Sequence, residues 1–542
     1  MKRLLALLLA GALLMPLTAC SGNTGETDTT AESVEQTAAE TVPEETIIEE
    51  TEPETETEPE TEPETEPETE PETEPETEPE TEPEPAVPTY TLPVGTGIGV
   101  HPGRVTWAWH PEAFTWSGSG YWWLRKNYDD DIVRQMLTDS LCQLAGKENL
   151  NDALDALFRA FNKRKTGEAK GYTAGEKIVI KANMNVTGNG DAGNKSIGGY
   201  FPSPVTMLVL LELLVDFGVA PEDITLTDPS RNIPTYIQIM LSEGKLDGVR
   251  FAGYNDTVKA DTTKPIVWSH DFEADNWPDY GGYATVNPTF WPECVTEATY
   301  MINLFNLRGH TLAGFTASAK NHFGTVMPAH EKADGTYTIP DHFRSGPPSY
   351  SGIHHYVAAL DYFGTPTELW DLPKRDMGTY SVLVDLTSNA DAGGKTFLYL
   401  CDALAATLTQ GSNLTVDEKW LSAPFGDGTK AGAGWTCSFF ASQDSVAIDS
   451  VVLDFLLAEK AAAEAEGDIK WDSVLPDDHT ADNSLVEAAL ADCAPSGTVY
   501  QDGYGNPVGS LGVHEHWNNA ADKQYSQNLG KDEGIELIPI RY

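Results

Sequence analysis

Basic residues are scarce in this chain: 34 Lys and Arg stand against 84 Asp and Glu in 542 residues, a formal charge of −50. A nucleic-acid partner needs a cationic surface to displace the counterions of its phosphates, so no such partner is expected. Between Ser21 and Pro85 there is no Lys or Arg at all. Long apolar runs are missing too. The stretch from Leu4 to Leu17 holds about 14 residues, whereas a bilayer core of roughly 30 Å needs about 20, which argues against a spanning helix there. Cysteine occurs only at positions 20, 142, 294, 401, 437 and 493, without a Cys-x-x-Cys pair. That spacing speaks against an iron–sulfur cluster, a zinc–thiolate centre and a disulfide framework, although one disulfide pair remains open, and it favours buried, inert thiols.

The N-terminal residues that are present read as an address. Lys2 and Arg3, the apolar run and Leu17-Thr18-Ala19-Cys20 form a signal peptide over residues 1–19 with a lipobox. Cys20 is then the lipidation site, and two acyl chains give the stable anchoring that one does not. The expected location is the extracytoplasmic face of the cell membrane, with the lipid bilayer touched only through acylated Cys20. Residues 20–87 follow as an acidic stalk, with a Thr-Glu-Pro-Glu repeat filling most of residues 51–84. It has almost no apolar side chains to offset the entropy of ordering, so a disordered, polyproline-like spacer of on the order of 100 Å is expected. An acidic interaction tail is the alternative. Residues 88–542 keep 58 acidic and 32 basic residues, about −26, and are long enough for two subdomains or one enlarged α/β domain.

Within that folded part, Pro102–Trp123 is dense in aromatics, with Trp107, Trp109, Trp116, Trp122 and Trp123. A helical stretch follows over Asp130–Phe161. Lys177–Asn183 reads as a strand, Ser203-Pro204 opens an apolar helix to Phe217 that stops at Gly218, and Asp223–Asp228 reads as a second strand. This is a βαβ unit and predicts a parallel pair. Further strands are expected at 248–252, 265–268, 300–304, 380–385, 396–401 and 438–441, and helices at 316–322, 353–363 and 446–466. The alternation predicts an α/β fold: a mostly parallel or mixed sheet with helices on both faces, preceded by the disordered stalk.

In such sheets ligands sit beyond the carboxyl ends of the strands. The polar residues expected there are Lys181, Asn183, Asn185, Asp228, Ser230, Arg231, Arg308, His310, Asp385 and Asp444. Lys320 and Asn321, in Lys320-Asn321-His322-Phe323-Gly324, can join them: Lys brings a point charge, Asn fixes orientation, and His310 can move a proton near neutral pH. Equally balanced from spacing is a solvated Lys with an Asn closing the turn. His514 and His516, alternate residues of an expected strand, share a face and form a possible divalent-metal pair, with Asp228 or Asp444 as a guess for a third ligand; hydrogen-bonded structural histidines are the alternative. His354 and His355 point about 100° apart on a helix and do not share a ligand. Gly95-Thr96-Gly97-Ile98-Gly99 lacks the strand and helix of a dinucleotide loop and reads as the flexible end of the stalk.

Several stretches together resemble the family described as domain of unknown function 362. They are Pro102–Val105, Ile178–Asn183, Thr227–Ser230, Ile302–Leu304 with Gly309-His310, Ala319–Gly324 and Ala441–Asp449. Val513–Asn519 with Asp522–Tyr525 resembles the end of a secreted branch of that family, and the likeness runs from about residue 98 to 540. The resemblance implies an α/β fold and no agreed activity. Some relatives carry a ferredoxin-type cluster module; the absence of any Cys-x-x-Cys here puts an electron-transfer role in doubt.

Two functions are therefore expected as rivals. In one, Lys181, Asn183, Asp228, His310, Lys320, Asn321 and Asp444 surround one crevice for a small anionic or carbonyl-bearing ligand, with or without chemistry and with or without a metal. In the other, the domain binds a surface glycan or cell wall through its Trp-rich segment and has no catalytic centre.

Overall fold

The computed structural model of the protein describes residues 92–185, 199–253, 258–272, 289–338, 351–363, 371–372, 374–409 and 412–542. The leader, Cys20 and the expected stalk lie outside them.

One mixed sheet of nine strands organises the rest. Its strands are β1 (Arg104–Trp109), β2 (Ile178–Ala182), β3 (Ile224–Asp228), β4 (Arg250–Gly253), β5 (Tyr300–His310), β6 (Gly314–Thr316), β7 (Thr396–Thr407), β8 (Ser438–Ser442) and β9 (Glu536–Arg541). The spatial order is β9-β1-β8-β7-β5-β2-β3-β4, with β6 paired to β5. Strands β4, β3, β2, β5 and β7 are mutually parallel. Strand β8 runs antiparallel to both its neighbours, β7 and β1, while β9 is parallel to β1. Apart from β6, β8 is therefore the one reversed strand of this sheet.

Both faces are covered, as the buried runs of β5 and β7 require. Ile178, Ile180, Ile302, Leu304, Leu398 and Leu400 face a core built with α1 (Asp130–Ala145), α2 (Leu150–Thr166) and α3 (Pro204–Phe217). Their alternates Val179, Met301, Phe305, Tyr399 and Cys401 face α4 (Ser318–Phe323), α5 (Val382–Ser388) and α6 (Ser445–Ala465). The period of two is what a sheet between two helical layers imposes on its strands.

The βαβ unit forms as its residues dictate. Ser203 caps α3 by accepting from Thr206 N–H, Pro204 occupies the first turn, and Gly218 ends the helix at φ 112°.

Elsewhere the chain departs from its sequence reading. The stretch 130–161 is two helices, because Gly146 ends α1 in a left-handed conformation at φ 62° and Asn149 caps α2. Residues 380–385 enter helix α5, not a strand: every residue of Val382–Ser388 is buried, and packing overrides the β-branched composition. The strand expected at 265–268 lies earlier, at Ala260–Pro265. In place of a helix over 353–363 there is one turn at Ser351–His354 and a tight turn at His355–Val357, then an extended pair at Tyr362–Phe363. Residues 95–99 are not a loose stalk end: Val94–Gly95 pairs with Val513–His514, and Ile98 N–H donates to Asp444.

The five described cysteines are free; Cys142, Cys401 and Cys437 are buried, whereas Cys493 is exposed. Trp107, Trp116 and Trp122 are core residues and offer no face to a sugar, and Trp123 is half-buried between Tyr121 and Tyr236. No described helix is long and apolar enough to cross a membrane.

Candidate functional site

At the carboxyl end of β2, parity turns Lys181 toward the α4–α6 face, where it is 1% exposed. Its ammonium meets Ala182 O and Asn321 Oδ1, each at 2.9 Å, and Asp228 Oδ2 at 3.3 Å. Three protons find three acceptors, which is what a buried cation needs. Burial still pulls its pKa below the usual lysine range, against the pull of Asp228. Asp228, ending β3, is saturated as well: Oδ2 accepts Met184 N–H at 2.7 Å, and Oδ1 accepts the Ser230 N–H and hydroxyl at 3.0 and 2.8 Å.

Asn321 stitches α4 to two strands at once. Its Nδ2 donates to Lys181 O at 3.0 Å, Asn303 Oδ1 at 2.8 Å and Leu304 O at 3.3 Å. Gly324 leaves room for this junction; a Cβ there would lie 3.2 Å from both Lys181 Nζ and Ser230 Oγ. The amino end of α4 is held by Asp449 of α6, which accepts the Ser318 and Ala319 N–H groups at 2.8 and 3.0 Å.

Arg308 of β5 is 1% exposed. It donates from Nη1 to Tyr200 O at 3.0 Å and from Nη2 to Asn183 Oδ1 at 2.7 Å. Its Nε has no hydrogen-bond partner among the described residues. Burial and repulsion from Arg231 push its pKa down to about 9, and the carboxylate opposing them, Asp228, is already paired with Lys181. Arg231 reaches Asn185 through Nε and Nη2 and Ser230 O through Nη1. Half-buried Lys320 places Nζ 3.4 Å from His354 Nε2 and 3.9 Å from the centre of the Phe323 ring. Burial, then Arg231, Arg308 and Lys181, depress its pKa to about 7. His310 accepts the Leu312 and Ala313 N–H groups on Nδ1, each at 3.1 Å, so its neutral form carries the proton on Nε2. Burial, then Lys320, holds it neutral.

The strand ends thus bring together Lys181, Asn183, Asn185, Asp228, Ser230, Arg231, Arg308, His310, Lys320 and Asn321. Four of them, Lys181, Arg231, Arg308 and Lys320, are basic, and Asp228 is the one carboxylate among these ten residues. Lys320 also lines a cavity with Phe315, Tyr356, Arg375, Asp449 and Asn483. Sequence reasoning does not place Asn303, His354 or Asp449 in the site; the signal for Asn303 and Asp449 is that they lie in the family-resembling stretches Ile302–Leu304 and Ala441–Asp449.

Two expected members are elsewhere. Asp444 follows β8, the reversed strand, so it emerges at the opposite edge of the sheet. There it caps α6, accepting Val446 and Ala447 N–H on Oδ1 and Ile98 and Val513 N–H on Oδ2. Asp385 lies in α5 and accepts from Ser269 and Tyr380.

His514 and His516 lie side by side, their ring centres 5.1 Å apart, but with different hydrogen-bond partners. The strand ends at His514, whose Nδ1 lies 2.8 Å from Ser450 Oγ. His516 turns instead to Asp454 and Asp482. Neither Asp228 nor Asp444 approaches as a third ligand: the group whose ligand atoms converge is His479, Asp482 and His516.

No curated protein matches this chain. The family model described as domain of unknown function (DUF362) matches residues 178–454, from the start of β2 into α6, and so contains the cationic cluster at the strand ends. The match covers more than half of the sequence, and the chain belongs to the DUF362 family.

Proposed function

We propose that the crevice at the carboxyl ends of β2, β3 and β5 binds a small ligand through an anionic or carbonyl-bearing group. Arg308 carries this reading. A guanidinium that is 1% exposed, with Nε unpartnered and the carboxylate that opposes it, Asp228, committed to Lys181, is a buried charge without its own counterion among the described residues. Buried charges are normally paired, and an anion arriving between Arg308, Arg231 and Lys320 supplies the missing partner. The guanidinium fork suits a carboxylate or phosphate.

Lys320 gives the crevice a chemical capacity besides binding. With a pKa of about 7, a large share of its amine is unprotonated at neutral pH. It can then attack a carbonyl carbon or relay a proton, while the cationic neighbours hold the ligand's charge. The reading concerns a chain that we take to be a lipoprotein of the secreted branch, exported through residues 1–19 and anchored at Cys20, so that its ligand is extracytoplasmic.

Thermal unfolding in sulfate, phosphate or a C4 dicarboxylate, against chloride at equal ionic strength, tests the binding reading. A saturable rise in melting temperature with at least one of these anions supports it; identical melting in all four salts rejects it.

A further inference from the structure

Thr480, Ala481 and Asn483 line the same cavity as Lys320, and behind them His516 stands between two buried carboxylates. Its Nδ1 is 2.5 Å from Asp454 Oδ1 and its Nε2 is 3.0 Å from Asp482 Oδ2; both aspartates are 2% exposed and the imidazole 10%. Asp454 is itself fixed by the Tyr525 hydroxyl at 2.8 Å and Trp517 N–H at 3.0 Å. The same Asp482 oxygen is approached by His479, whose Nδ1 lies 3.3 Å from Oδ2.

Three observations make this more than a hydrogen-bond network. First, the ligand atoms of His479, Asp482 and His516 lie within 4.8 Å of one another. Metal–ligand distances of about 2.0–2.2 Å at tetrahedral angles separate neighbouring donors by roughly 3.3 Å, close to the two measured nitrogen–oxygen separations. Second, Asp482 stands at the N-cap position of the short helix Asn483–Ala489 yet makes no capping hydrogen bond. Its carboxylate is spent on the imidazoles instead. Third, His479 adopts φ 59°, a left-handed conformation that a side-chain-bearing residue reaches at a cost and that here aims its ring at Asp482.

We infer that His479 Nδ1, one Asp482 oxygen and His516 Nε2 bind a divalent transition-metal ion such as zinc. Asp454 orients His516 through its Nδ1–H, the carboxylate–histidine–metal arrangement that fixes the tautomer of a ligating imidazole. The ion takes the place of the proton on Nε2, which leaves to solvent, and its two positive charges balance the two buried carboxylates. Two imidazoles and one carboxylate leave a coordination position for water or substrate. His479 is 31% exposed, so the site borders solvent on that side. Three of these four residues follow the segment matched by the family model, and none hydrogen-bonds to Arg308 or Lys320. The inference rests on residues other than those proposed to bind an anion, although Thr480, Ala481 and Asn483 share a cavity with Lys320.

The test is elemental analysis of the native chain, then titration of the chelator-stripped protein with zinc. One zinc per chain with micromolar or tighter affinity, and a higher melting temperature with metal, is expected. His479→Asn retains a residue that tolerates the left-handed conformation, so it folds; it should bind zinc at least tenfold more weakly. Asp454→Asn should still take one zinc, with affinity lowered by about 10–100-fold. Failure of the native chain to bind zinc, or unchanged affinity in His479→Asn, overturns the assignment.

Discussion

The Lys181 ammonium and the Asn321 side-chain oxygen lie 2.9 Å apart across 140 positions of sequence. This bond joins β2 to α4 beside Asp228. Replacing Lys181 by Met leaves Asp228 buried without its cation, and breaking a buried pair from one side costs about 3–5 kcal/mol. Urea unfolding should show that loss. Adding Asp228→Asn to Lys181→Met should recover part of it, because the orphaned charge is gone.

Asp444 should behave as a structural residue. Asp444→Ala removes the acceptor for four N–H groups, from Ile98, Val446, Ala447 and Val513. At about 1 kcal/mol per net hydrogen bond or cap, a loss of about 2–4 kcal/mol is expected in denaturant unfolding, with anion affinity unchanged.

Lys320 sets a pH dependence whose sign can be worked out. Its pKa in the folded protein is about 7, against 10.5 as the ordinary value. Between those values the unfolded chain holds the proton and the folded one does not, so this residue's contribution to stability rises with pH from 7 toward 10. Anion binding needs the ammonium and goes the other way. Sulfate keeps its charge across this range, and its affinity should fall by up to tenfold per pH unit above 7. Titrations at pH 6, 7, 8 and 9 check this, and Lys320→Gln should remove that component of the slope.

Arg308→Met should trade binding against stability. It removes a buried charge that has no counterion of its own among the described residues, takes the Arg308 donor from Tyr200 O, and leaves Asn183 Oδ1 with the Asn185 N–H alone. These effects oppose one another, so without anion the variant should unfold within about 1 kcal/mol of the parent. The rise in melting temperature with anion should disappear.

What the sequence reveals of this molecule follows the range of the forces involved. The β2–α3–β3 unit is legible because its signals are local: an apolar strand, a Ser-Pro helix start and a Gly stop. Lys181, Asn183 and Asp228 then fall at strand ends by counting. The direction of β8 is not legible, since Ser438–Ser442 is as apolar read either way, and reversing it carries Asp444 to the far edge of the sheet. Residues 380–385 look like a strand because Val382-Leu383-Val384 is a short apolar run rich in β-branched side chains, but a helix buried on all sides satisfies the same composition. The His479–Asp482–His516 group is hidden for another reason: 34 residues separate Asp482 from His516, and no short motif spans them.

Calorimetric titration of the native protein and of Arg308→Met with inorganic phosphate at pH 6.5 is the most direct measurement of anion binding at the strand ends. The account predicts saturable binding at one site per native chain and at least tenfold weaker binding in the variant. Equal affinity in the two proteins, or no saturable binding by either, contradicts it.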